Sequence, residues 1–284
     1  MSSRKVVKIV EPIYVMEGAG VRLRRTIATD YLDYLDYLDP FLLFDHFSSD
    51  DPLDYLAGFP MHPHRGIETV TYMLSGNVNH KDSIGNSGTI GACDVQWMTA
   101  GSGILHEEMP QEPEEGKLEG FQLWVNLPAK LKMTGPRYQE VKASQIPEIA
   151  LSEGVQVKFI AGEVNGVKGP VTEIFTDPEY LDVSLEEGNS FDHNLPEGHT
   201  VLAYVFEGEG VFDEEETQVS ATHLVIFSEG ESVKIHTENK PVRFLLISDK
   251  PLNEPIARYG PFVMNTPEEI EEALRDLQKG TFVK

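Results

Sequence analysis

Two pairs of metal-capable side chains at i, i+2 spacing constrain this chain more than any other feature: His62-Pro63-His64 and His106-Glu107-Glu108. Both pairs sit in stretches that read as β-strands. A strand sends successive side chains to opposite faces, so His62 and His64 point one way together, as do His106 and Glu108. Two such strands facing each other would bring three imidazoles and one carboxylate to a single point, which is a mononuclear metal site. That donor set suits a divalent first-row ion: Fe, Mn, Co, Ni, Cu or Zn. A structural zinc site would more often use cysteine and fill all four positions of a tetrahedron, and the single cysteine, Cys93, lies outside the pattern. A six-coordinate metal would keep two positions open beside four protein ligands, enough for water, oxygen or a chelating substrate.

Three carboxylates compete for the fourth ligand position. Strand parity turns Glu108 toward the face of His106 and Glu107 away from it. Glu68 has the parity of His62 and His64, but Arg65-Gly66 interrupts the strand between them. Glu108 is therefore assigned as the ligand, with Glu68 as an inward group beside it.

Around these motifs the chain is dense in short β-branched and aromatic runs separated by glycine and proline turns, the pattern of an all-β sandwich or barrel. Runs at 5–13, 21–23, 41–44, 67–74, 94–98, 104–108 and 121–127 read as strands. Residues 129–150 are polar, contain prolines and read as a linker. The second half repeats the style of the first, from 155–161 to 242–247. Aligning Tyr72 with Tyr204 places Asn194 and Pro196 where His62 and His64 stand, and Thr200 where Glu68 stands. The second half thus lacks metal ligands at those places. Tyr31-Leu32-Asp33 recurs as Tyr34-Leu35-Asp36 and Tyr37-Leu38-Asp39, a period of three that fits neither strand nor α-helix and reads as a surface excursion without chemistry. The glycines of Gly101-Ser102-Gly103 precede a strand rather than a helix, so they make a tight turn and not a phosphate loop.

One helix is expected, over 267–279. Thr266 is a good N-cap, Pro267 takes N1 and Glu269 at N3 completes a capping box. Ile270, Ala273, Leu274 and Leu277 form one apolar face, and Gly280 stops the helix.

The formal charge of -24, from 47 acidic and 23 basic residues, disfavours direct nucleic-acid binding. No apolar run approaches the length of a membrane span and no leader-like segment opens the chain, so a cytoplasmic protein without membrane contact is expected. A single cysteine excludes an intrachain disulfide and fits a reducing compartment. His46, His80, His193, His199, His223 and His236 have no partner at ligand spacing and are read as structural or solvent-facing. Met98, Met109 and Trp97 read as core or pocket lining.

Asp39-Pro40-Phe41-Leu42-Leu43-Phe44-Asp45, the run from His62 to Tyr72, Asp94 to Gly101 and Gly101-Ser102-Gly103-Ile104-Leu105-His106-Glu107-Glu108-Met109 closely resemble the pirin family of the cupin superfamily. Phe121 to Pro128, Pro251 to Pro255 and Gly260 to Thr266 do so as well, and the resemblance runs almost end to end. It implies a bicupin, two face-to-face cupin β-barrels with a C-terminal α-helix. The domains would be 1–135, holding the metal, and 136–284, without metal ligands and ending in the helix 267–279. It implies iron, as Fe(II), held by His62, His64, His106 and Glu108, and so favours Glu108 over Glu68. Three departures stand out: Cys93 where the family usually has glycine, His46 in place of the usual acidic residue, which would alter the pocket rim, and the Tyr-Leu-Asp triplets.

Known pirins that cleave quercetin imply a metal-dependent dioxygenase, a quercetinase-like oxidoreductase that opens the heterocyclic ring of flavonols and releases carbon monoxide. Its partners would be a small aromatic substrate and O2, and the resemblance favours a monomer. Glu108 would be both ligand and the base that takes the hydroxyl proton, with Phe44, Met73 and Trp97 walling a planar substrate. The alternative is a non-enzymatic, iron-responsive module that binds protein partners such as transcription factors.

Overall fold

Val, Ile, Thr and aromatic side chains fit the pleated, half-buried surface of a sheet, and the glycines and prolines between them set the turns. The computed structural model describes residues 2–28, 38–113, 116–164 and 166–283. Strands occupy most of that length, and the one α-helix among the described residues is Pro267–Lys279. Of the Tyr-Leu-Asp triplets only Leu38 and Asp39 fall among the described residues. No helix of the described residues is long and apolar enough to cross a membrane.

The described residues fall into two compact units with interleaved segments. Met1–Ile13, Asp33–Pro40 and Ser144–Pro251 contribute to one, and Tyr14–Leu32, Phe41–Ala143 and Leu252–Lys284 to the other. The second of these carries the histidine motifs, and the C-terminal helix belongs to it.

The histidine unit is built from two main sheets, beside the two-stranded ladder of Ala257–Tyr259 and Phe262–Met264. The larger has seven strands in the order Arg137–Val141, Val95–Thr99, Ile67–Ser75, Leu118–Asn126, Phe41–Ser49, Val21–Ala28 and Ile13–Glu17. The smaller has four, in the order Phe59–His64, Ile104–Gln111, Asn77–Asp82 and Ser87–Ile90. In the other unit a branched ten-stranded sheet runs from Val6–Val10 at one edge to Glu148–Ser152 at the other end of its main path. Its strands share a single apolar cluster that includes Val157, Leu181, Phe191, Val205 and Phe244.

The expectation of closed cupin β-barrels is corrected by these strand orders, because among the described residues every sheet is left open and none has its edge strands paired to each other. The reason is visible in the histidine motif. Pro60 and Pro63 lie in the strand Phe59–His64 and have no N–H to give to a further neighbour. A strand with two such gaps is confined to an edge. At the far edge Ser87–Ile90 is only 4 residues long, too short a ladder to carry the sheet around.

The stretch read as a linker contains the strand Arg137–Val141, which pairs antiparallel with Val95–Thr99. Its side chains are mostly half-buried rather than alternating, so the sequence shows no period of two. The helix forms as its caps dictate. The Thr266 side chain accepts from Glu269 N at 3.3 Å, and Glu269 Oε2 accepts the Thr266 N–H at 3.0 Å. Gly280 closes it at φ 69, the left-handed conformation that glycine adopts without a Cβ clash. Ile270 and Ala273 bury the apolar face beside Phe262, Met264 and Phe282.

Candidate metal centre

The strands Phe59–His64 and Ile104–Gln111 pair antiparallel with His62 directly opposite His106 and His64 opposite Ile104. Residues opposite each other in a ladder share a face. The i, i+2 spacing then adds His64 to that face, so local parity and one register gather all three histidines. One ring nitrogen from each lies within 4.8 Å of the others. His62 Nε2 stands 3.0 Å from His64 Nε2. Ring centroids are 4.4 Å apart for His62 and His106 and 5.1 Å for His64 and His106.

Glu108 reaches the same place across a register shift that falls between His106 and Glu108. Its Oε2 is 4.0 Å from His106 Nε2, and its Oε1 accepts a hydrogen bond from Thr71 Oγ1 at 3.1 Å. Glu107 turns outward to Lys81 at 2.8 Å. Glu68 lies on the other face of the larger sheet. Its carboxylate accepts from Trp97 Nε1 at 2.9 Å and Thr99 Oγ1 at 2.6 Å. Between His64 and Ile67 the chain leaves one sheet for the other through Gly66 at φ 82, so parity does not carry across.

The site is ready for a cation. Burial, reinforced by the neighbouring His106, lowers the pKa of His62, and the same two causes with His62 added bring His64 well below its usual value. Burial and then His80 hold His106 at about 4. The imidazoles are therefore neutral near pH 7, with lone pairs free to bind metal. The Pro60 carbonyl lies 3.0 Å from His62 Nδ1, which places the ring proton there and leaves Nε2 to face the centre. Both ring nitrogens of His106 are buried without a hydrogen-bond partner, an arrangement that costs free energy unless an electrophile is bound. With metal–nitrogen bonds of ~2.1 Å, adjacent ligands of an octahedron stand ~3 Å apart, as the first two imidazoles do. Burial pushes the Glu108 carboxyl up, against the pull of His62.

His62, His64 and Glu108 open onto a cavity of about 620 Å³ lined by both sheets. Leu23, Leu43, Phe47, Phe59, Val78, Leu118 and Trp124 make its walls, and Arg25, Asp45, Thr71, Gln122 and Arg258 its polar points. Trp124 stands edge-on to His64 at 5.1 Å, while the Arg258 guanidinium lies 5.2 Å from its ring. Phe44 and Trp97 are elsewhere, and Met73 lies directly behind the cavity wall. Phe44 stacks on Phe121 at 5.8 Å, Met73 packs behind the lining with Val21 and Leu118, and Trp97 binds Glu68. His46 points away from the cavity as well, with its ring 4.8 Å from that of Phe121.

The sequence reading missed Trp124, Gln122 and Thr71. The strand Leu118–Asn126 alternates fully buried Phe121, Leu123 and Val125 with half-buried Gln122 and Trp124, and the less buried set is the one that faces the cavity. It also missed two buried cations that brace the loops behind the histidines. Arg65 donates to the Ser102 and Phe282 carbonyls at 2.7 and 3.1 Å and pairs with Asp276 at 3.0 Å. Lys132 Nζ donates to Gly66 O, Asn126 Oδ1 and Val263 O at 2.9, 2.6 and 2.8 Å. A side chain at Gly66 would run into the Val263 carbonyl. Gly101-Ser102-Gly103 makes the expected tight turn, with φ 51 and 138 at its two glycines.

Among the described residues no other group of three histidine, cysteine or carboxylate side chains converges this closely. In the other unit His193 instead pairs with Glu179 at 2.7 Å.

Residues 20–125 match the family model described as Pirin, and 180–283 match that of the Pirin C-terminal cupin domain. A pirin-like protein of Caulobacter vibrioides is 44% identical over 283 residues, covering 99% of this chain and 100% of that protein. The pirin of Homo sapiens is 42% identical over 281 residues, 98% of this chain and 93% of its own. A crystal structure of quercetin 2,3-dioxygenase from Acinetobacter baumannii superposes with a TM-score of 0.91 at 40% identity, covering 100% of both chains. With a histidine site able to hold a divalent metal and relatives matching over nearly its whole length, the chain belongs to the pirin family of the cupin superfamily.

Proposed function

We propose that this protein is a metal-dependent dioxygenase that opens the heterocyclic ring of flavonols such as quercetin and releases carbon monoxide. The observation that carries the reading is the convergence of three neutral imidazoles, two of which line a largely apolar cavity of about 620 Å³. That volume falls in the range that small-molecule sites occupy. The quercetin 2,3-dioxygenase from Acinetobacter baumannii, alike along its whole length, supports the choice of substrate class.

His62, His64, His106 and Glu108 would hold the ion, with iron(II) as the metal. Such an ion, when bound, lowers the pKa of a substrate hydroxyl and supplies the one-electron chemistry that dioxygen requires. Glu108 would receive the substrate's hydroxyl proton on a carboxylate oxygen, since a ligand that can loosen has the reach to do so. Trp124, Leu43, Phe47 and Phe59 line the cavity, where they hold a planar ring system and keep water from its faces. Gln122, whose side chain lies 2.8 Å from Thr71 Oγ1, turns its amide to a substrate oxygen. In the overall reaction both atoms of O2 enter the ring-opened ester, and the ring carbon bearing the hydroxyl leaves as carbon monoxide. An iron-responsive interaction module would have no use for an apolar cavity beside the ligands, so the geometry favours turnover.

The test is oxygen uptake with quercetin by protein reconstituted anaerobically with Fe(II), beside a His62→Ala/His64→Ala double variant. Native protein is expected to consume one O2 per quercetin, and the variant none. Native protein that binds one iron and shows no uptake would remove the flavonol reading.

A further inference from the structure

The larger sheet presents a polar row to the cavity, in which Thr71, Gln122, Asp45 and Arg25 are successive cross-strand partners. At its near end Thr71 Oγ1 meets Glu108 from the smaller sheet at 3.1 Å and Gln122 Oε1 at 2.8 Å. At its far end Arg25 takes both oxygens of Asp45, at 2.8 and 2.7 Å. The Thr71–Glu108 contact is thus a side-chain tie between two sheets of one unit that no ladder joins.

We propose that Thr71 is a positioning residue for the metal centre, its hydroxyl holding the Glu108 carboxylate toward His62, His64 and His106. The proposal rests on the reading of Glu108 as a ligand. Glu108 needs such a device more than the histidines do. They are short, rigid rings aimed by strand parity, whereas the backbone of Glu108, regularly paired to His80 but beside a register shift against Phe59–His64, sets the side of the sheet and not the position of its carboxylate. A glutamate side chain also has three rotatable bonds, and fixing it unaided costs rotamer entropy. Thr71 is suited to fix it. It is 3% exposed, β-branched and therefore stiff at χ1, and held from its other side by Gln122. Its one hydroxyl proton has two acceptors, and an ionised carboxylate is the stronger of them.

The experiment measures Co(II) affinity by competition with a chelator, together with the visible absorption of the bound cobalt. Thr71→Val keeps the shape and removes the hydroxyl, Thr71→Ser keeps the hydroxyl, and Glu108→Ala is the reference. The expected result is a Kd for Co(II) raised about 10–100-fold in Thr71→Val, with altered absorption, and restoration to near the native value in Thr71→Ser. Should Thr71→Val fold poorly, Thr71→Ala makes the same comparison without added bulk. A role in packing alone would lower Tm and leave the cobalt spectrum unchanged, and that outcome overturns the proposal. So does a Kd within twofold of native in Thr71→Val while Glu108→Ala is weakened. Native-like affinity in Glu108→Ala would instead overturn Glu108 as a ligand, and Thr71's role with it.

Discussion

Glu68, Glu108 and Glu119 carry the same side chain and are set to different tasks by what each one meets. Burial pushes Glu68 up, against hydrogen bonds from Thr99 and Trp97 that it receives away from the histidines. Glu119 shows the reverse. Burial alone would raise it, but His46 and Lys117 beside its carboxylate win and hold it at about 2. His46 is itself lowered, first by burial, so near neutral pH it is an uncharged imidazole whose N–H donates to Glu119 across 3.2 Å. A carboxyl depressed in the folded state contributes stability that is full above its unfolded pKa, near 4.5, and is lost as pH falls through about 2. Glu119→Gln should therefore be less stable than the native protein at neutral pH, by roughly 1–2 kcal/mol after discounting for the half-exposed Lys117. The gap should hold constant above pH ~5 and close toward pH 2–3. Denaturant unfolding of both proteins across that range checks it, and a gap that widens in acid would contradict the assignment. Cys93 is set by backbone rather than by partners. It adopts φ 60, where glycine is free of strain, which accounts for the glycine that the family resemblance leads one to expect there.

The elements legible in the sequence were those specified by neighbours in the chain. The helix Pro267–Lys279 was readable because its capping box, its apolar face and its terminal glycine are local signals. The histidine triad was readable because i, i+2 parity is local to each strand and needs only one pairing to complete it. What failed was non-local. Whether a sheet closes depends on its last strand meeting its first, and no residue reports that, although two prolines in Phe59–His64 hinted at an edge. Phe44 and Trp97 were hard to place because the larger sheet is buried on both faces, so apolar character does not say which face lines the cavity. Arg65 was invisible for the same reason, since its partners stand far along the chain. It ties the end of the histidine strand to the helix through Asp276 and to the carbonyls of Ser102 and Phe282, with Phe282 under its guanidinium at 4.4 Å. Arg65→Met should cost on the order of 3 kcal/mol by leaving those acceptors unpaired inside the fold. It should also release the helix before the rest. Hydrogen exchange that rises first in Pro267–Lys279 would confirm the tie, and uniform exchange would refute it.

Over the molecule as a unit, excess charge outweighs any single contact. Forty-seven acidic residues against 23 basic ones leave a formal -24, and two opposing effects follow from it. Exposed pairs such as Lys81 with Glu107 at 2.8 Å and Lys240 with Glu209 at 3.1 Å are weakened by salt. Each is worth only ~0.2–1 kcal/mol. The unpaired carboxylates repel one another in the compact state, and that repulsion is relieved by the same screening. Acidic residues outnumber basic ones about twofold, so more charges are repelled than paired. The second effect therefore wins. Raising NaCl from about 10 mM to about 200 mM shortens the screening length from ~30 Å to below ~10 Å. Relief of about 1 kcal/mol would raise Tm by roughly 2–4 °C for a chain of this size. Thermal scans over that salt range, made on metal-free protein so that no bound ion contributes, measure the sign directly. A falling Tm would mean that the ion pairs outweigh the excess charge. A rising one would show that the acidic surface loosens the fold at low salt, while leaving the buried tie between Arg65 and Asp276 beyond the reach of screening.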